Sequence, residues 1–453
     1  MKFNRIFTVQ NIHLFFACAL LAFMPFAVNL MSYIMLLWGV SGLFLFFKNR
    51  TEYRFSFRHP GIITMLGFYL MVVIGVFYSS DTQAALFDVQ VKLSLLIVPW
   101  PMMLLAPLYK KYKGLLLKVF VFANIAAGLV CMCVALYHSI QIGGGGWTFN
   151  PVVPGIYEDV NTSPSTYFSY TNFSLFKHPA YFSMYLVLCV FVVLYLMNRG
   201  ILLVKKKLTS HILYTLCLLP LLATIFFLQS KAGYFSLFFL LTLAAVGYLV
   251  TKRKVLIGVL LVVLIIAMGT IWVKTNSRFY YIRTAMMQSD EFIKAMKERN
   301  YQLMIDRYGI DRIPLWLVTE EAIGEHFWTG CGSGDVHMVL NQKFVQYKIQ
   351  SFIDYKYNAH NQFLETWLAQ GLIGFLLMLI WLLYPLFDKN QYISDRALSL
   401  VFAGLVIVNF FFESMLNAFS GVIFIAFFYV FFAVLGMDTP ERIPDDITKL
   451  TAE

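Results

Sequence analysis

Charge is what this sequence has least of. Only 13% of its 453 residues are Asp, Glu, Lys or Arg, and 60% are hydrophobic; a soluble protein carries roughly 25% charged residues. That excludes the two or three soluble domains the length would otherwise allow. Other absences narrow the chemistry. The chain has no Walker motif, no dinucleotide-binding fingerprint and no carboxylate cluster suited to a metal, so no cofactor or metal is expected. Cysteine is scarce: Cys18, Cys131, Cys133, Cys189 and Cys217 fall within predicted helices, which leaves Cys331 in an external loop with no disulfide partner there. Cys131 and Cys133 point to different sides of one helix and do not make a metal pair. No internal repeat is evident, and no soluble domain is expected at either end of this sequence.

Long apolar runs are what the sequence does have. About twelve are near the ~20 residues needed to cross a bilayer: 12–28, 30–47, 60–78, 86–106, 115–138, 179–197, 210–229, 232–250, 255–273, 363–386, 398–413 and 419–436. The expected fold is all-α, a polytopic membrane protein of about twelve transmembrane helices. The first run follows Lys2 and Arg5 as a signal sequence would, but a second follows almost at once, so an uncleaved anchor is expected. Basic clusters at Lys48/Arg50/Arg54/Arg58, Lys110/Lys111/Lys113, Lys205/Lys206/Lys207 and Lys252/Arg253/Lys254 then fall on the side of the N-terminus. The short segments opposite hold Lys177 and Lys231. The positive-inside rule makes the first side cytoplasmic. The net charge of +11 is thus mainly a topology signal and does not point to nucleic acid.

The chain divides into helices 1–9 over 1–273, a large external loop over 274–361, helices 10–12 over 362–436, and a cytoplasmic tail over 437–453, in which Asp445 and Asp446 read as a solvated pair. A shorter external excursion at 139–178 holds Gly143-Gly144-Gly145-Gly146 together with Pro151, Pro154 and Pro164, and reads as an irregular loop. The large loop has helical spacing of its own at 286–300 and 312–324. A glycine-rich turn, Trp328-Thr329-Gly330-Cys331-Gly332-Ser333-Gly334, then precedes a further helix after Asp335. It reads as a small folded cap.

In an apolar bundle, ionisable residues near a membrane boundary are the informative ones. His360 and Asn361 lie in Tyr357-Asn358-Ala359-His360-Asn361, where the polar loop runs into an apolar helix. Histidine titrates closest to neutral pH and can take a proton from a hydroxyl there. Glu365, one turn further on, could orient the imidazole, or simply be a helix N-terminal charge favoured by the dipole. Arg312 opens Arg312-Ile313-Pro314-Leu315-Trp316, where the dipole disfavours a cation. Its place suggests an anionic partner, with an ion pair to Asp311 or Glu320 as the alternative. Lys231 sits in the tight turn Gln229-Ser230-Lys231-Ala232-Gly233 and could equally snorkel to lipid phosphates. Asp88 and Lys92, four residues apart and inside the bilayer, read as an ion pair holding two helices together. His178 at Phe176-Lys177-His178-Pro179 can face the site or serve as a polar helix entrance.

Two cations and a base on one face suit transfer from a lipid diphosphate. The cations neutralise the departing diphosphate while the base deprotonates an acceptor hydroxyl. The first external turn, near 28–30, lacks an acidic residue, which favours a metal-free mechanism. The motifs over roughly 170–385 resemble the bacterial O-antigen ligase and polymerase superfamily. His360-Asn361 with Gly371 ten positions beyond the Asn looks like the ligase signature of His, a small amide or hydroxyl residue, nine residues, then Gly. The Arg312…Trp316 helix leading into the glycine turn resembles the family's large periplasmic loop. Ser230-Lys231-Ala232-Gly233 resembles its Ser-Arg-Gly turn, with lysine where the family usually has arginine.

The resemblance implies a GT-C-like glycosyltransferase of the bacterial inner membrane, active on the periplasmic face. Its donor would be an undecaprenyl-diphosphate-linked glycan and its acceptor a hydroxyl of lipid A-core. His360 would be the general base, Arg312 and Lys231 would grip the diphosphate, and Asn361, Glu365, Trp316 and His178 would line the substrates. A polymerase or a protein O-oligosaccharyltransferase would use the same donor chemistry. A transporter is the rival from another class, opposed by the missing repeat symmetry and the large cap.

Overall fold

The computed structural model describes residues 8–26, 28–50, 59–143, 146–157, 164–201, 203–252, 255–275, 289–308, 310–388 and 393–436. The tail 437–453, with Asp445 and Asp446, lies outside them, as does the start of the large loop at 276–288. The helices of the first half are α1 (Val9–Phe23), α2 (Val28–Lys48), α3 (Pro60–Val76), α4 (Thr82–Val91), α5 (Ser94–Ile97), α6 (Pro99–Leu104) and α7 (Ala106–Ser139). After a β-containing excursion come α8 (Tyr170–Phe173), α9 (Pro179–Asn198), α10 (Lys207–Leu228), α11 (Lys231–Lys252) and α12 (Val255–Thr275). The cap is built from α13 (Ser289–Lys297), α14 (Tyr301–Tyr308), α15 (Arg312–Glu325), α16 (Val336–Gln346) and α17 (Gln350–Tyr355). The bundle resumes with α18 (Gln362–Phe387), α19 (Ile393–Phe412) and α20 (Phe419–Gly436).

Each of the twelve apolar runs falls on a helix or a broken helix. Among the described residues, six helices are long and apolar enough to cross a membrane, or seven if α4 and the α5–α6 segment, bent by 41°, form one span. The remaining apolar helices are shorter. The structure is thus an all-α polytopic membrane protein with six to seven candidate spans.

The sequence explains where these helices sit. Helix α20 is apolar on every side (mean hydropathy 2.4 over its most apolar window) and is buried along almost its whole length. A helix without a polar face belongs inside a bundle. Its phenylalanines pack on Phe120, Tyr185 and Phe402 from α7, α9 and α19. Proline opens α3 and α9 at a position that needs no amide donor. The cap has its own small core, in which Leu315, Val318, Ala322, Leu340, Phe344 and Phe352 are buried together with Leu368 of α18.

Two expectations are corrected. The excursion at 139–178 is not irregular throughout: Ile140–Gly143 pairs antiparallel with Gly146–Phe149, and Val152–Tyr157 with Pro164–Thr166. Gly143 and Gly146, the two described glycines of the run, are the last pair of the first ladder. The Asp88–Lys92 ion pair forms, but within α4 and its C-cap, so it ties a helix end to itself and does not join two helices. Lys92 is buried at the break between α4 and α5. Cys131 is buried and Cys133 exposed, as opposite faces require.

Cap and bundle lock together through glycine. Helix α18 is kinked at Gly371, where φ is +66° and ψ −168°. The kink frees backbone carbonyls, and the glycine-rich turn takes them. Cys331 N–H donates to Leu368 O at 2.8 Å and Gly332 N–H to Ala369 O at 3.0 Å, while Leu372 N–H donates to Phe327 O at 3.0 Å. A Cβ on Gly371 would stand 2.3 Å from Trp328 O, and one on Gly330 2.4 Å from Ala369 O. Gly371→Ala therefore adds a backbone clash to about 1–2 kcal/mol of left-handed strain and should lower the melting temperature of the purified protein. Gly324→Ala, in α15 with open space around it, should be neutral or slightly stabilising. Equal melting temperatures for the wild type and Gly371→Ala would refute this account of the joint.

Candidate active site

The site forms where the cap meets the ends of α9, α18 and α19. The chain leaves α17 through Lys356 at φ +49° and reaches His360 at φ +44°, two left-handed residues that turn it sharply into α18. Histidine is among the few side chains that tolerate this region. Asn358 Oδ1 supports the turn by accepting from His360 N–H at 2.9 Å.

The imidazole does not meet the acid expected from the sequence. Its Nδ1 lies 2.6 Å from Glu413 Oε1, 53 residues further along the chain and one residue past the end of α19. Glu413 is the candidate site residue that the sequence reading missed. It sits at the end of an apolar helix with no motif around it, and its only signal is a carboxylate in the short link between α19 and α20. Glu365, expected to orient the imidazole, is occupied elsewhere. Its Oε2 accepts from Ala359 N–H at 2.9 Å and its Oε1 from Asn417 Nδ2 at 2.7 Å. It follows His360 by five residues, and the sharp turn carries the imidazole away from it.

Arg312, at the start of α15, does not pair with Asp311 or Glu320 as the sequence alternative had it. Its Nη2 lies 3.7 Å from Glu413 Oε2. One carboxylate thus faces the base with one oxygen and the guanidinium with the other. Burial, the largest influence, pushes the Glu413 carboxyl above the ordinary carboxylate range, and the charges of Arg312 and His178 pull it part of the way back. When Glu413 is ionised it can only accept, so His360 Nδ1 carries the proton and Nε2 keeps its lone pair for a substrate.

Two further donors on α15 are buried nearby in sequence. Arg312 Nη1 and, one helical turn on, Trp316 Nε1 are buried without a described hydrogen-bond partner. Buried donors are ordinarily satisfied, and an oxygen-rich anion would satisfy both. Tyr357 packs edge-on to His360 with ring centroids 5.2 Å apart.

His178 caps α9, its Nδ1 accepting from Ala180 N–H at 3.4 Å while Nε2 lies 3.3 Å from Tyr170 Oη. It is exposed, and its charge is felt at Glu413. Lys231 is the exposed first residue of α11, following Gln229 at φ +47°. One turn on, Phe235 packs on Phe412 beside Glu413, with centroids 5.5 Å apart. The structure therefore brings His360, Arg312 and Glu413 into direct contact and sets His178 and Lys231 at the same end of the bundle. Asn361, expected to bind substrate, is instead the N-cap of α18. It is buried, and its Oδ1 accepts from Phe363 N–H at 2.9 Å and Leu364 N–H at 3.3 Å. Such a cap contributes about 1 kcal/mol and leaves its oxygen no capacity for substrate.

Residues 216–379 match the family model described as O-antigen ligase. That match covers less than half of the chain; it supports the resemblance to the O-antigen ligase superfamily and a ligase- or polymerase-type activity in polysaccharide assembly. Lys231, Arg312, His360 and Gly371 lie within the match; His178 and Glu413 lie outside it. No curated protein matches the chain.

Glu413 gives the site a pH signature in stability. A carboxyl whose pKa is raised on folding favours the fold while protonated, and that advantage is lost as pH rises through the folded value. Glu413→Gln cannot ionise. Its melting temperature should approach that of the wild type below about pH 4 and gain on it as the pH rises. A difference that stays constant across this range would show that Glu413 does not titrate from a buried position.

Proposed function

We propose that the protein is a metal-independent, inverting glycosyltransferase of the O-antigen ligase type. It moves a preassembled glycan from undecaprenyl diphosphate to a hydroxyl of lipid A-core, on the periplasmic face of the bacterial inner membrane. All twelve apolar segments cross the bilayer in this reading, and the cap lies outside it in a GT-C-like arrangement. The observation that carries the proposal is the His360–Glu413–Arg312 constellation, in which His360 and Arg312 belong to the stretch that matches the O-antigen ligase model and Glu413 joins them from beyond it.

The acceptor oxygen attacks the anomeric carbon of the donor sugar from the side opposite the diphosphate. The new C–O bond forms as the bond to the diphosphate oxygen breaks, and the bonding pair leaves with undecaprenyl diphosphate. The acceptor proton passes to His360 Nε2, and the imidazolium is stabilised by Glu413 through Nδ1–H. Arg312 and Lys231 hold the diphosphate. Arginine offers the planar fork suited to phosphate oxygens and lysine a point charge. With Nη2 on Glu413, Arg312 still has Nη1 to offer, and Trp316 Nε1 is a neighbouring donor. His178 remains a substrate-facing candidate. Asn361 and Glu365 are structural in this reading.

Replacing His360 by alanine in the native host tests the assignment. Long glycans stranded on undecaprenyl diphosphate, with bare lipid A-core, are expected of a ligase. Accumulated single repeat units would instead identify a polymerase, and an unglycosylated protein target a protein O-oligosaccharyltransferase. A His360→Ala strain with unchanged glycans, alongside a Lys92→Ala strain that has lost them, would overturn the base and favour the transporter. The purified protein should also keep its transfer rate in EDTA. A loss that magnesium restores would rule out the metal-independent route.

A further inference from the structure

The base and its acid belong to segments that meet only at this site. His360 lies in the turn before α18, and Glu413 lies past the end of α19. Holding Nδ1 and Oε1 at 2.6 Å requires the two segments to be placed within about half an ångström. The first turns of α18 supply that placement. Glu365 reaches backward to Ala359 N–H, adjacent to the base, and sideways to Asn417 Nδ2, four residues past the acid. Gln362, one turn earlier on the same helix, accepts from Leu416 N–H at 2.6 Å through Oε1 and donates through Nε2 to Thr366 Oγ1 at 2.9 Å. Glu365 and Gln362 are both buried.

We infer that Glu365, assisted by Gln362, is a positioning residue: a strut from α18 that fixes the distance between His360 and Glu413 by holding the turn of one and the connector of the other. Both Glu365 oxygens already accept within the protein, and neither of these bonds is to the imidazole. Its role is tied to polarity as well as to size. A glutamate accepts from a backbone N–H and an amide at once, whereas glutamine has one acceptor oxygen and one amide nitrogen. Asn417 is the matching half, because it presents its amide nitrogen to the strut.

A polarity swap tests this, and it rests on the transfer reaction proposed above. Glu365→Gln alone can keep both bonds, accepting from Ala359 N–H through its oxygen and donating through its nitrogen to the Asn417 amide oxygen once that amide turns over. Asn417→Asp cannot, because it sets two carboxylates face to face. Asn417→Asp in the full-length protein should lose about a hundredfold in kcat, the scale of a 1 Å misplacement, with KM for the lipid-linked donor within about twofold of the wild type. In the double variant the new Gln accepts from Ala359 through its oxygen and donates through its nitrogen to the new Asp, so the same bonds form with reversed polarity. It should recover at least about tenfold over Asn417→Asp.

A folded double variant no better than the poorer single variant would overturn the strut. So would a double variant that fails to fold, since the swap preserves every bond. A Glu365→Gln protein with normal kcat and raised KM would make Glu365 a substrate contact instead. The two readings fail separately. A His360→Ala protein that retains transfer removes the base, whereas an intact requirement for His360 beside an unrescued double swap removes the strut alone.

Discussion

The contact on which the site depends is the one between His360 Nδ1 and Glu413 Oε1. It decides which ring nitrogen carries the proton, and so which one can accept another. It also draws the guanidinium of Arg312 to the same carboxylate, on its second oxygen. A carboxylate this buried is costly unless cations share it, and Arg312 and His178 both do so. His360, Glu413 and Arg312 form one electrostatic unit, and the rest of the architecture holds it together.

The joint between cap and bundle does the coarser part of that work. Gly371 breaks α18 so that the glycine turn at 327–332 can bond to its exposed carbonyls. Asp335 ties the far side of the same turn, its carboxylate accepting from Ser80 and Asp81 N–H at 2.6 and 2.8 Å. The cap helix carrying Arg312 is thereby fixed to the membrane helix that begins beside His360. The His…Gly spacing then has a physical reading. About ten residues of helix separate the base from the point where the cap docks, so one rigid segment sets both.

Much of the fold was legible in the sequence because lipid leaves a chain few options. A spanning segment must be apolar and helical, and every predicted run coincides with a helix or with the bent α4–α6 segment. Arg312, at the head of α15, and His360, before α18, were legible for a related reason, since polar residues at helix starts stand out against such a background. The partners were not legible. Glu413 lies 53 residues from His360 and is brought to it by the packing of α18 on α19 and by bonds from α18 to the segment after Glu413. Glu365 looked like the orienting acid because sequence spacing assumes a regular helix, and the left-handed His360 breaks that assumption. Asn361 resembled a ligand contact for the same reason that it is a good cap: a short amide at a helix start serves either use. The hairpins at 140–166 were hidden by glycine and proline, which signal a turn without naming the strands on either side.

Several departures from local rules fall on the candidate site. His360 sits in the left-handed region, and Arg312 is a cation at a helix start. A carboxylate is buried at Glu413, and two buried donors at Arg312 and Trp316 stand without described partners. Each costs stability where it stands. The surroundings differ in kind. The α20 post is uniformly apolar and buried, and the Glu365, Gln362 and Asn361 contacts are fully paired. In the proposed reaction, paired contacts of this kind would keep the site from relaxing toward its own unpaired donors, which is what preorganisation requires.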